Sequence, residues 1–128
     1  MIDHISLGIS DFSRSLPFYR SVLAPLGAIV LMEADGLAAG FGPKGGEPSF
    51  WIGGPFDGQA PSVGNGTHVC FSAPTRQAVH DFYDAALAAG GRDDGKPGLR
   101  PDYSPHYYAA FILDPDGHKI EAVCHLPT

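Results

Sequence analysis

The chain has 128 residues, of which 44% are hydrophobic and 17% are charged, and this balance is typical of a globular domain rather than of a disordered segment. The net charge of −6 comes with no cluster of Lys and Arg for a phosphate backbone, and no apolar run reaches the ~18 residues of a membrane span. We therefore expect neither nucleic-acid binding nor membrane insertion. The 17 glycines and 12 prolines lie between apolar runs, so they predict many tight turns between short strands.

The N-terminus and the cysteines bear on the compartment. Residues 1–4 lack a basic region ahead of an apolar stretch and are not typical of a signal peptide. The two cysteines, Cys70 and Cys124, are too few for a disulfide scaffold. We expect a cytoplasmic protein in which both thiols are buried and contribute only to packing.

A repeat of half the chain length divides the sequence. Residues 4–28 align with residues 68–92 at a shift of 64 positions and share six identities in 25 positions, where average composition gives about one or two. Residues 39–41 then align with residues 109–111 at a shift of 70. We interpret the chain as a duplicated module.

The strands of the two copies are predicted from alternation. The first strand of each copy, residues 4–9 and 68–72, alternates polar or small with large apolar side chains, as a strand with one buried face does. The last strand is predicted over residues 48–53 in the first copy and over residues 118–125 in the second, after a Pro-Gly turn at 114–117. Each module is therefore predicted to contain a strand, a helix and then three strands joined by hairpins.

A helix is predicted after the first strand of each copy, because apolar residues recur there at helical spacing. Ser13 or Asp11 is expected to cap the first helix, and Thr75 the second. The six extra residues of the second copy lie between Gly91 and Tyr108, in a segment rich in Pro, Tyr and His. This insertion is either a surface loop or a loop over a pocket.

Three side chains of metal-ligand type are predicted on the sheet faces that point away from the helices. Alternation puts His4 and His68 there at the starts of the two repeated strands, and Glu121 there in the last strand. A buried carboxylate beside two imidazoles needs a partner, and a divalent metal supplies one. Two His and one carboxylate with open positions suit iron, manganese, nickel or zinc, although the three residues form no local motif.

The half-length repeat, the opening stretch Ile2–Leu7 and the stretch Phe111–Glu121 together resemble the vicinal oxygen chelate superfamily. This group includes glyoxalase I, extradiol dioxygenases, fosfomycin-resistance enzymes and bleomycin-resistance proteins. The resemblance covers essentially the whole chain. It implies an α+β fold in one domain, residues 1–128, with βαβββ modules at 1–60 and 64–126 that form an open, cup-shaped mixed sheet around a metal.

The resemblance also implies which residues hold the metal. The superfamily uses up to four ligand positions, on the first and last strands of each module, and His4, His68 and Glu121 match three of them. The 70-residue shift puts Trp51 at the fourth position, where an indole offers no lone pair to a metal. Three ligands resemble the dioxygenase and fosfomycin-type sites more than the four-ligand glyoxalase I sites.

The implied function is that of a metal-dependent enzyme, a lyase or a dioxygenase, that binds a small-molecule substrate through vicinal oxygens on one divalent metal (zinc, iron, manganese or nickel). The predicted catalytic residues are Glu121, Tyr107 and His106. The residues predicted to bind substrate are Trp51, Arg100, Tyr103 and His125.

Short relatives often complete the cup with two chains, so the resemblance further implies a homodimer, in which His4 serves either its own chain's site or its partner's. The alternative is a metal-free protein of the bleomycin-resistance type, which binds a small molecule between aromatic walls. Retention of three ligand-type residues argues against that alternative.

Overall fold

A computed structural model describes the whole chain, residues 1–128, as two modules with the same order of elements. The first module consists of β1 (Ile5–Gly8), α1 (Phe12–Leu23), a 3-10 turn (Ala24–Leu26), β2 (Ala28–Ala34), β3 (Ala38–Pro43) and β4 (Phe50–Gly53). The second consists of β5 (His68–Ser72), α2 (Arg76–Ala88), β6 (Arg92–Leu99), β7 (Tyr108–Leu113) and β8 (Lys119–Cys124).

Each module forms its own four-stranded sheet, in the orders β1-β4-β3-β2 and β5-β8-β7-β6. In both sheets the first and last strands of the module are parallel neighbours, and the other pairs are antiparallel. The register is repeated as well, since Ser6 lies opposite Trp51 and Cys70 lies opposite Glu121. The predicted α+β fold with two βαβββ modules is confirmed, with the mixed sheet divided into two sheets of four strands.

The two helices meet at the centre of the molecule. α1 packs against α2, and each helix also covers one face of its own sheet. A single hydrophobic core of 18 buried residues therefore extends through both modules. Phe50 and Phe71 join the modules edge to face, with ring centroids 5.0 Å apart. As a consequence, the opposite face of each sheet is turned away from the core.

The two helices begin differently. Thr75 caps α2 as predicted, because its hydroxyl oxygen accepts a hydrogen bond of 3.0 Å from the Ala78 N–H. Asp11 occupies the N-cap position of α1, but its carboxylate accepts from the Ser13 hydroxyl at 2.7 Å rather than from a helix N–H. That hydrogen bond lowers the pKa of Asp11. Neither helix is long and apolar enough to cross a membrane.

The insertion of the second module is only partly a loop. β6 continues to Leu99, so residues 96–99 belong to a strand and only residues 100–107 connect β6 to β7. The pairing of β6 with β7 is irregular, with register shifts at Gly95 and Gly98. These irregularities bend the strand locally.

A buried hydrogen bond links the first helix to the turn before β8. The Tyr19 hydroxyl donates to Asp114 Oδ2 at 2.5 Å, and both residues are almost completely buried. Asp114 Oδ1 accepts from the backbone N–H groups of Asp116 and His118, at 2.9 and 2.8 Å. Burial and the neighbouring Asp114 carboxylate raise the pKa of Tyr19 well above its usual range, so the phenol stays a neutral donor.

Two further side chains of the same turn reach the first module. Asp116 accepts a hydrogen bond of 2.5 Å from the Ser10 hydroxyl and lies 3.3 Å from the Arg14 guanidinium. The His118 ring donates from Nε2 to the Gly8 carbonyl oxygen at 2.6 Å, since a carbonyl can only accept. The turn at residues 114–118 therefore fixes the start of β8 to β1 and α1.

Replacing Tyr19 with Phe should lower the free energy of unfolding by about 1–3 kcal/mol, because it removes one donor from a buried carboxylate and leaves the ring in place. Urea unfolding followed by circular dichroism measures the change. Tyr103→Phe is the matched control, since that side chain is 64% exposed and its loss should change stability by less than about 0.5 kcal/mol. Equal stabilities of Tyr19→Phe and Tyr103→Phe would show that the buried hydrogen bond contributes nothing.

Candidate functional site

A row of four residues crosses the outward face of the second sheet. Cys70 on β5 lies opposite Glu121 on β8, Glu121 lies opposite Phe111 on β7, and Phe111 lies opposite Gly95 on β6. Residues directly opposite one another on paired strands point to the same face. Of the predicted site residues, Glu121 lies in this row. His68 lies beside it, because it is two positions before Cys70 and shares its face.

Glu121 is the centre of this site. Although it lies on the outward face, it is only 2% exposed. His68 Nε2 lies 3.0 Å from Glu121 Oε1, and the Tyr107 hydroxyl donates to Glu121 Oε2 at 2.6 Å. Both carboxylate oxygens thus have a polar partner, which is what allows a carboxylate to be buried here.

The connection between β6 and β7 brings aromatic side chains over the carboxylate. The Tyr107 ring packs edge to face against Tyr103, with centroids 5.0 Å apart, and against His125, with centroids 5.3 Å apart. Partial desolvation and the hydrogen bond to Glu121 raise the pKa of Tyr107, so the phenol is a hydrogen-bond donor at neutral pH. The predicted site residues Tyr103, Tyr107 and His125 are therefore brought together with Glu121 and His68.

His106 has a different position. It lies in the same connection and was expected to be catalytic, yet it is exposed and hydrogen-bonds to none of the side chains around Glu121. Arg100, by contrast, is half-buried on the site face, with its guanidinium carbon 5.4 Å from the Phe111 ring centroid.

His4 and Trp51 lie on the other sheet. They line the same cleft on the outward face of the first sheet, where the Trp51 indole covers Gly40 so closely that a Cβ there would meet the ring at 2.8 Å. His4 is exposed, and its Nδ1 lies 2.5 Å from Asp3 Oδ1. The repeat thus gives each module an equivalent pair, His4 with Trp51 and His68 with Glu121, but a single chain does not bring the two pairs together.

His68 and Glu121 are of the residue types that would hold a divalent metal. Their donor atoms, Nε2 and Oε1, lie 3.0 Å apart, which is an ordinary hydrogen-bond distance, and an imidazole nitrogen and a carboxylate oxygen are both ligands that zinc accepts. No group of three His, Cys, Asp or Glu side chains within one chain is placed to hold a metal ion. The predicted set of His4, His68 and Glu121 is therefore not assembled by a single chain.

Cys70 was expected to be a buried packing residue, and this expectation is wrong. It is exposed at the site face, whereas Cys124 is fully buried. Desolvation, followed by the negative charge of Glu121, raises the pKa of the Cys70 thiol to about 12. Alternation along β5 puts Cys70 on the face of His68, and the general tendency of thiols to be buried does not override it.

A cavity of about 490 Å³ opens beside the site, on the helix side of the sheets. It lies between the modules and is lined mainly by apolar residues, including Phe41, Phe50 and Phe71. His68 and Cys70 also border it, so they lie between this cavity and the Glu121 face.

The profile of the Glyoxalase/Bleomycin resistance protein/Dioxygenase superfamily matches residues 1–122 of the chain. The chain belongs to this superfamily. A glyoxalase/bleomycin resistance protein from Albidiferax ferrireducens T118, solved by crystallography, is 30% identical to it with a TM-score of 0.85, and the alignment covers 95% of this chain and 97% of that one.

More distant superfamily structures share the fold. Glyoxalase I from Zea mays is 20% identical with a TM-score of 0.72, and the alignment covers 96% of this chain but 45% of that one. A genomically encoded fosfomycin resistance protein from Listeria monocytogenes is 16% identical with a TM-score of 0.67, with 99% and 94% of the two chains covered. Among curated proteins, none matches this chain in sequence.

Replacing Glu121 with Gln in metal-free protein should make Cys70 react faster with iodoacetamide at pH 8–9. The raised pKa keeps the wild-type thiol protonated at this pH, and loss of the negative charge lowers that pKa, so the thiolate fraction increases. Since the partial desolvation of the thiol remains in the variant, we expect an increase of several-fold rather than the reactivity of a free thiol. Peptide mass spectrometry follows the reaction at Cys70, with the buried Cys124 as the internal control. Unchanged Cys70 kinetics in the variant would contradict the assigned effect of Glu121.

Proposed function

We propose that this protein is a metal-dependent enzyme of its superfamily, and that it binds a small substrate through vicinal oxygens on one divalent metal. The observation that carries the proposal is the pair formed by His68 and Glu121, an imidazole and a carboxylate 3.0 Å apart on an outward sheet face. Nitrogen and oxygen donors of this kind suit zinc, iron, manganese and nickel.

The third ligand in this proposal is His4 of the partner subunit in a homodimer. α1 and α2 pack together within one chain, so the face with His4 and the face with Glu121 are both turned away from the core and available to a second copy. The face with His4 carries the fully exposed Phe56 beside a cleft of about 400 Å³. An exposed aromatic residue beside a concave surface is typical of an interaction site.

A metal at this position would act as a Lewis acid that stabilises negative charge developing on the substrate oxygens. The chain's own residues have other tasks. The Tyr107 phenol holds Glu121 Oε2 through its hydrogen bond, which orients the carboxylate and leaves Oε1 directed towards His68. Tyr103 and His125 pack against Tyr107 and keep it in that position.

The proton-transfer role is assigned to Glu121 and Tyr107, since the Tyr107 phenol donates a hydrogen bond of 2.6 Å to Glu121 Oε2. Tyr103, His125 and Arg100 are proposed to contact the substrate from the second sheet, and Trp51 from the partner's first sheet. The predicted role of His106 has no contact that supports it. The reaction is that of a lyase or a dioxygenase, and the free thiols Cys70 and Cys124 fit the cytoplasm as its location.

Metal titration tests the proposed centre. Protein stripped with a chelator should regain one divalent ion per chain, and His68→Ala and Glu121→Gln should each weaken that binding by at least about tenfold, since each removes a charged or strongly donating ligand. Isothermal titration and metal analysis give the affinity and the stoichiometry. His106→Ala is the matched control, because it removes an exposed histidine outside the cluster.

Wild-type protein that takes up no metal would contradict the proposal. It would favour the alternative, a metal-free binding protein of the bleomycin-resistance type, in which Tyr103, Tyr107 and Trp51 serve as aromatic walls.

Mixing two variants that each bind metal poorly tests whether the site is shared between subunits. His4→Ala chains keep His68 and Glu121, and Glu121→Gln chains keep His4, so a mixed dimer contains one complete ligand set and one that lacks two ligands. Random exchange makes half of the dimers mixed, so metal binding should return to about a quarter of the wild-type level. Metal analysis after unfolding and refolding the mixture measures this return. If each chain used its own His4, the mixture would bind no more metal than the separate variants.

A further inference from the structure

Arg100 is a half-buried cation that has no acidic partner. It lies on the same sheet face as Glu121, and it forms an ion pair with no Asp or Glu, although the chain has a net charge of −6. A charged group that loses water without a counter-charge is costly. This cost calls for an explanation in terms of what the guanidinium contacts.

Two backbone carbonyls hold the guanidinium in place. Arg100 Nη1 donates to the Gly98 carbonyl oxygen at 2.9 Å, and Nη2 donates to the Lys96 carbonyl oxygen at 2.8 Å. An arginine side chain has five N–H donors, so two are used here and three remain. Because the side chain is anchored beforehand, little conformational entropy remains to be lost when a ligand binds.

The strand beneath Arg100 is shaped to admit it. A Cβ at Gly95 would lie 3.3 Å from Arg100 Nη2 and 2.9 Å from the Phe111 ring, and a Cβ at Gly98 would lie 3.3 Å from Arg100 Nη1. Glycine at these two positions of β6 therefore leaves the space that the guanidinium occupies. We call the floor of Gly95 and Gly98 with the Phe111 wall the arginine cradle.

The cradle lies a short distance from Glu121 along the row that crosses the sheet. Gly95 and Glu121 are separated by one strand, β7, so the guanidinium above Gly95 is roughly 10 Å from the carboxylate, which is two strand spacings. Phe111 lies between the guanidinium and the Glu121 site. Its ring centroid is 6.4 Å from that of His68 and 5.4 Å from the guanidinium carbon of Arg100. A small molecule that contacts Glu121 and His68 has to span roughly 10 Å, two strand spacings, to reach Arg100 as well.

A second cation borders the same ring. Lys119 Nζ lies 5.0 Å from the Phe111 centroid, but it also lies 3.3 Å from Asp94 Oδ2, which offsets its charge. Arg100 is therefore the half-buried cation at this face whose charge no carboxylate of the chain neutralises.

We propose that the arginine cradle binds an oxyanion group of the substrate, so that the substrate carries a carboxylate or phosphate roughly 10 Å or less from the oxygens bound at Glu121 and His68. The planar guanidinium matches either group with paired hydrogen bonds. The anion site itself does not depend on a metal. That its ligand is part of a substrate held at Glu121 and His68 rests on the proposed function.

The test uses metal-free, full-length protein, with inorganic phosphate and acetate as separate probes, followed by NMR of the backbone amides. Each probe that fits should cause saturable shifts at Gly95, Gly98 and Arg100. Arg100→Gln should weaken binding by at least about tenfold, since it removes the charge and the fork while keeping one donor group. Arg92→Gln is the matched control, an exposed arginine on the same strand, and should bind as the wild type does.

The outcomes separate the two proposals. Acetate binding at least as tight as phosphate binding, despite its single charge, supports a carboxylate as the substrate group, and binding of phosphate alone supports a phosphate. Binding of neither probe, or equal binding by wild type and Arg100→Gln, overturns the anion site even if metal titration of the same samples shows one ion per chain. Loss of anion binding in Arg100→Gln, with metal uptake by neither protein, leaves the anion site standing and overturns the metal centre.

Discussion

The hydrogen bond between Tyr19 and Asp114 is the interaction on which the arrangement of this molecule depends. It joins a helix of the first module to the turn that starts β8, and β8 carries Glu121. Because both partners are buried, the bond has no water to replace it. With the contacts of Asp116 and His118, it makes the turn a structural link between modules as well as a hairpin connection. The position of the site carboxylate is thus set from the opposite half of the chain.

The local structure was predictable from the sequence, but the relation between modules was not. Alternation along β8 correctly put Glu121 on the outward face, and the register bears out the alignment of Trp51 with Glu121. Nothing in these patterns specifies that α1 packs on α2, and this contact is what separates His4 from Glu121 within one chain. Likewise, the cradle around Arg100 depends on register shifts in β6. The sequence predicts a loop for this segment, and a loop prediction specifies no strand register. Periodicity describes single elements, whereas these features arise between elements.

The repeat also shows how two modules with the same fold carry different functional side chains at equivalent positions. Each sheet has a histidine at or just before the start of its first strand, His4 and His68. Two positions further along, the residue on the neighbouring strand is Trp51 in one sheet and Glu121 in the other. Trp51 needs Gly40 beneath it, while Glu121 needs the hydroxyl of Tyr107 and the ring of His68 beside it. Each substitution is therefore accompanied by a change in its neighbours, which makes simple exchange of the two residues ineffective.

The contact between α1 and α2 has a consequence for how the protein responds to dilution. It joins the two halves of one chain, so it forms at any protein concentration and without the translational entropy that separate molecules lose on association. The faces that carry His4 and Glu121 meet, in the proposed dimer, only when two chains associate. Folding is then independent of protein concentration, whereas assembly of the site depends on it. A folded protein at low concentration would hold its site residues in two incomplete sets.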